Sequence, residues 1–83
     1  MEYERGRVVI SLTGRDKGRY MAVLETEPGY AFVANGKLRR ISQPKKKNIK
    51  HLAATNTVLV DKDLENDKAL LRAIFETFGS FGR

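Results

Sequence analysis

The chain has 83 residues, enough for one domain with a small core. A domain this size buries only about 60–65% of its unfolded surface, which disfavours a deep, water-excluding active site and points to a binding module. Cysteine is absent, so disulfides, thiolate metal sites and a cysteine nucleophile are excluded, while the formal net charge of +6 is concentrated: seven basic residues and no acid fall between Lys37 and Lys50, leaving −1 for the rest.

So local an excess suits a polyanion partner better than general solubility does. The opening Met1-Glu2-Tyr3-Glu4-Arg5 is polar, and no apolar run approaches the ~18–20 residues of a membrane span. The expectation is a cytoplasmic protein with neither signal peptide nor membrane anchor.

Gly6 to Leu12 is a β-branched run and predicts a first strand, closed by the turn-rich Thr13-Gly14-Arg15-Asp16-Lys17-Gly18. Arg19 to Thr26 predicts a second strand that Glu27-Pro28-Gly29 ends. Tyr30 to Ala34 predicts a third. It is followed by Asn35-Gly36, the pair best suited to a type I′ hairpin turn, and Lys37 to Ile41 is expected to return as the partner strand. The stretch Gln43 to Lys50 holds Pro44 and the mutually repelling Lys45-Lys46-Lys47, and is expected to be an exposed loop. Thr57 to Val60 predicts a last short strand.

From residue 63 the period changes. Leu64, Leu71, Ile74, Phe75 and Phe78 share one helical face, so a helix is predicted over about 63–78, with Asp61, Asp63, Glu65 and Asp67 near its start and Gly79 after its end. Ser80 to Arg83 are expected to fray. Strands joined by tight turns and followed by one helix predict a mainly β fold, a small twisted barrel with the helix packed on it.

The pattern Gly6-Arg7-Val8-Val9, Gly14, Lys17-Gly18 and Val23 resembles the KOW motif of ribosomal proteins and transcription elongation factors, departing at Met21, where many such motifs carry glycine. Asn35-Gly36-Lys37-Leu38-Arg39-Arg40 and Asn48-Ile49-Lys50-His51-Leu52 resemble the branch containing the large-subunit ribosomal protein fourteen-e of archaea and eukaryotes. Together the resemblance spans about residues 5–60 and does not reach the C-terminal helix. It implies an SH3-like barrel that binds large-subunit ribosomal RNA without catalysis or cofactor, monomeric when free and with ribosomal proteins as further neighbours.

Under that resemblance Lys37, Arg39, Arg40, Lys45, Lys46, Lys47 and Lys50 are the candidate phosphate contacts. Lys37, Arg39 and Arg40 would set orientation from an ordered strand, and Lys45 to Lys50 would add salt-sensitive affinity from a flexible loop. Arg15, Lys17 and Arg19 flank the first loop and are secondary candidates. His51 is the one histidine; without partnering ligands it suits a phosphate or base contact, or a half-buried structural place, better than metal or proton transfer. Tyr3, Tyr20, Tyr30 and Phe32 could stack on bases, but a small barrel needs large residues inside, and Tyr20 and Phe32 are assigned to the core. The acids from Asp61 to Asp67 lack the glycine and the final glutamate of a calcium loop, since Arg72 stands in that last position. The competing expectation is a KOW-type protein-interaction module, which exposed apolar residues on the outer side of the helix would favour.

Overall fold

The structure is a computed structural model and describes residues 3–82. Five strands, β1 (Arg7–Ser11), β2 (Tyr20–Glu27), β3 (Tyr30–Ala34), β4 (Lys45–Asn48) and β5 (Leu52–Val58), form one antiparallel sheet in the order β4-β3-β2-β1-β5. A single 3-10 turn, Ile49–His51, joins β4 to β5; another, Asp61–Leu64, precedes the helix α1 (Asp67–Phe78).

The link between β4 and β5 shapes the sheet. These strands are its opposite edges, which in a flat sheet would lie about 19 Å apart at ~4.8 Å per spacing. Four residue steps from Asn48 to Leu52 span at most about 14 Å fully extended, and less when wound as 3-10 helix. The sheet must therefore curl, although among the described residues no ladder joins β4 to β5. Bulges between Val23 and Glu25 and between Arg7 and Val9 supply local bends. Met21 pairs with Val9 in regular register and is fully buried.

Period-2 alternation in the curled sheet fills both faces. On one, Val8, Ala22, Leu24 and Ala34 pack with Leu59, Leu64 and the helix residues Leu70, Ala73 and Ile74. On the other, Val9, Met21, Val23, Ala31, Val33 and Leu52 form a second cluster, with Tyr3 and Ile49 against it. Leu52 lies on one edge strand and Val33 beside the other, so this cluster occupies the inside of the curl.

The C-terminal helix is present but begins later than its periodicity predicts. Asn66 caps it, its Oδ1 accepting from the Ala69 N–H at 2.8 Å, so Leu64 falls in the preceding 3-10 turn. The buried face includes Leu70, whereas Phe75 is 49% exposed. Gly79 closes the helix at φ +74. The expected fraying of Ser80 to Arg83 is corrected as far as Gly82, Arg83 lying outside the described residues. The Tyr20 N–H donates to the Phe81 carbonyl at 3.1 Å, and Gly82 bridges to Arg19.

Two further expectations are overturned together. Lys37 to Ile41 is no strand, because the N–H groups of Lys37, Leu38 and Arg39 all donate to the Asn35 side-chain oxygen at 2.9, 2.9 and 3.0 Å and none remains for a ladder. The Asn35 and Gly36 N–H groups donate to the Arg39 carbonyl, which closes a tight loop instead of a hairpin. The Ile41 N–H then donates to Asp67 Oδ1 at 2.8 Å, fastening the loop to the start of α1. The true partner of β3 is Lys45–Asn48, the stretch expected to be a loop.

Gly36, at φ +81, lies so close to α1 that an added Cβ would overlap the Asp67 carbonyl oxygen. Gly29 has the same φ of +81 but open space around it. Gly29→Ala is expected to cost about 1–2 kcal/mol for the left-handed backbone alone, and Gly36→Ala distinctly more. Urea denaturation of the two variants checks this; equal losses would mean that the loop does not rest on the helix.

Candidate nucleic-acid interface

The lysine run forms a strand because pleating separates its charges. Lys46 points to one face, where its ammonium meets Glu27 at 2.7 Å and lies 4.6 Å from the Tyr30 ring centroid and 6.0 Å from that of Phe32. Glu27 raises the Lys46 pKa above its ordinary value, chiefly by accepting its hydrogen bond. Lys47 points to the other face and is only 7% exposed. Its Nζ donates to Ser11 Oγ at 2.7 Å and to the Thr13 carbonyl at 3.0 Å. Burial pushes its pKa down, nearby Asp16 opposes the shift, and Lys45 and Arg39 add to it.

A second clamp lies beside the first. Asp16, in the loop of residues 12–19, is 3% exposed, and Arg39 Nε donates to its Oδ2 at 3.1 Å. This ion pair ties the first loop to the loop of residues 35–44. Glycines at positive φ, Gly14 at +76 and Gly18 at +85, let the first loop turn back on itself. The Lys17 N–H donates to the Gly14 carbonyl and the Gly18 N–H to the Ser11 carbonyl. The Leu12 N–H reaches the His51 carbonyl at 2.9 Å, so the 3-10 turn bearing Lys50 and His51 borders the same loop.

The sequence candidates thus divide. Lys47 is a buried strut and Arg39 a half-buried one, both engaged within the fold, whereas Lys46 is exposed but held by Glu27 and two aromatic rings. Arg15, Lys17, Arg40, Lys45, Lys50 and His51 are exposed around the joined loops. Lys37 is exposed too, its ammonium 5.3 Å from the Phe81 ring centroid. Arg19 is half-buried, and its backbone carries the bridge to Gly82. The assignment of strand and loop roles is also reversed: Lys37 and Arg40 sit on a fastened loop, and Lys45 opens a strand.

Within residues 12–19 and 35–44 the one acid is Asp16, and Arg39 neutralises it inside the fold. Asp16 and Asn35 carry the geometry of both loops. The available signal for Asp16 was a lone acid between two glycines in a basic loop. Of the four aromatics weighed for stacking, Tyr20 packs face to face with Phe78 at 4.1 Å, Phe32 and Tyr3 are half-buried, and Tyr30 is engaged by Lys46.

Among the described residues no group of three or more His, Asp or Glu side chains could hold a metal ion, and no helix is long and apolar enough to cross a membrane. A pocket of about 250 Å³ lies along α1 between Lys62 and Glu76, lined by both charge signs, away from the joined loops. Neither a protein-family model nor a curated protein sequence matches this chain.

Removing either strut leaves buried polar groups without partners. Arg39→Ala and Lys47→Met are each expected to cost about 1–3 kcal/mol and to speed amide exchange across residues 12–19. The Lys47 pKa is lower in the folded state than the ordinary 10.5, so between those two values the unfolded chain binds more protons. Stability of the native protein relative to Lys47→Met is therefore expected to rise with pH through that window. Denaturation of both proteins from pH 8 to 11 reads the difference; a falling difference would show that folding favours the ammonium.

Proposed function

We propose that this protein is a non-enzymatic RNA-binding module of the KOW type, its curled sheet an SH3-like barrel, and that it contacts structured ribosomal RNA through the two joined loops. One observation carries the proposal. The Asp16–Arg39 pair locks together two loops whose remaining charges, Arg15, Lys17, Arg19, Lys37 and Arg40, are all positive, Arg19 half-buried and the other four exposed, with Lys45 and Lys50 beside them. Such an ordered array of cations matches spaced phosphates and 2′-hydroxyls, and reads shape more than sequence. The barrel assignment draws support from the strand order, the 3-10 link between opposite edges and the glycine-turned loop before β2.

If four to six of these cations meet phosphates, the slope of log affinity against log salt is expected to be about −3 to −5. Arg40→Ala and Lys45→Ala should each make it shallower by about 0.7–0.9, with little effect on stability. Anisotropy titrations with ribosomal RNA fragments measure the slope. Co-sedimentation with large ribosomal subunits, lost at high salt, tests the assembly. A protein that stays in the light fractions at low salt and crosslinks to no ribosomal RNA would overturn the proposal.

A second function is a KOW-type module that docks a protein of the transcription or translation machinery, for which the exposed Phe75 of α1 is the one large apolar contact that the helix offers among the described residues. Charge reversal separates the two. Arg40→Glu, Lys45→Glu and Lys50→Glu together should abolish RNA binding and leave an apolar docking contact nearly unchanged. Reversal at Lys47 is unsuitable, because it would bury a carboxylate against Ser11 Oγ and the Thr13 carbonyl.

A further inference from the structure

We propose that Phe75 and Phe81 form a stacking site for one unpaired nucleobase at the border of the cationic loops, with Lys37 placed to meet the phosphate of the same nucleotide. The site deepens the RNA-binding proposal and rests on it.

The two rings lie 5.2 Å apart, tilted by 36°. Phe81 is half-buried against the helix-side core, and its backbone is fixed through the Tyr20 N–H and the Arg19–Gly82 bridge. That close approach needs glycine at position 82, where φ is +92 and an added Cβ would overlap the Gly18 carbonyl oxygen. The fold thus holds Phe81 in one place, beside a Phe75 ring that remains half open to solvent. The Lys37 ammonium stands 5.3 Å from the Phe81 ring centroid, so the aromatic pair is contiguous with the long basic loop.

Charge and size favour a base over a protein surface. A helix docking into a protein groove presents large apolar residues at several positions along one face. Among the described residues of α1, Phe75 is the one exposed large hydrophobic, with Arg72 and Glu76 exposed beside it in sequence. One open ring, backed by a second and bordered by an ammonium, fits a single base with its phosphate. Stacking on aromatic side chains is a common means of holding unpaired bases. The preferred ligand is therefore RNA with a bulged or looped nucleotide next to a structured segment, and a continuous duplex lacks the group that the site takes.

The test compares two RNAs of equal length and charge by fluorescence anisotropy, one fully paired and one with a single-nucleotide bulge, against the native protein, Phe75→Ala and Phe75→Trp. Phe75→Ala is expected to weaken binding of the bulged RNA about 5- to 100-fold, to leave the duplex unaffected and to keep the salt slope. Phe75→Trp should retain the preference, with indole emission quenched by the bulged RNA alone. Thermal unfolding of both variants checks that the fold is intact. Native protein that binds both RNAs with a steep salt slope, while Phe75→Ala is unchanged or loses equally on both, overturns the stacking site and leaves RNA binding standing. Native protein that binds neither RNA at low salt overturns both proposals.

Discussion

The structure depends on the shortness of one connection. Three residues, Ile49–His51, must carry the chain from one edge of a five-stranded sheet to the other, and only a curled sheet brings those edges within reach. Curling creates an inside, so Val9, Met21, Val23, Ala31 and Val33 find partners on the face that the helix does not cover. A chain of 83 residues thereby buries both faces of its sheet with a single helix. It also brings β4 toward β1, which are three spacings apart in the sheet order, so that Lys47 on β4 can hydrogen-bond Ser11 at the end of β1. In a flat sheet about 14 Å would separate those strands, beyond the reach of a lysine side chain.

The same curl decides what the basic stretch becomes. A count of charges between Lys37 and Lys50 treats seven cations as equivalent, but the fold assigns them different tasks. Arg39 and Lys47 hold two loops from within, and desolvation of Lys47 is offset by two well-placed acceptors and by nearby Asp16. The Lys46 ammonium meets Glu27 and lies over the rings of Tyr30 and Phe32. The exposed cations inherit order from these internal ones, so the surface charge is smaller than the sequence suggests and better fixed in space.

Much of the fold was legible where a single local rule governs. β-branched runs bounded by glycine marked β1, Pro28-Gly29 marked the turn before β3, and the change to helical period marked α1. Errors arose where a distant residue outvoted the local rule. Asn35-Gly36 has the chemistry of a type I′ turn, but the Asn35 carboxamide is 1% exposed and collects three backbone donors because the loop packs on α1. Lys45-Lys46-Lys47 repel one another in isolation, and the ladder to β3 together with Glu27, Ser11 and Thr13, all remote in sequence, makes them a strand. The candidate site was legible in the same measure: its exposed cations were all named, whereas nothing local distinguished Arg39 or Lys47 as struts. Phe81, in a stretch that composition alone would leave frayed, was hidden because its anchor is the backbone of Tyr20.

Ordered loops change the thermodynamics of any polyanion contact they make. A flexible lysine tail adapts to many phosphate arrangements but loses chain and side-chain entropy with each contact. Here Asn35, Asp16, Asp67 and Lys47 have already fixed the backbones from which Arg15, Lys17, Lys37 and Arg40 project. That order is supplied by folding, so binding costs less, and its spacing rejects backbones that do not match it. On the proposed function this favours a partner whose phosphates are themselves held in place, a folded RNA over a disordered strand. The aromatic pair beside Lys37 adds a contact that salt does not screen, so the same surface can combine fast, salt-sensitive encounter with slower, shape-dependent retention.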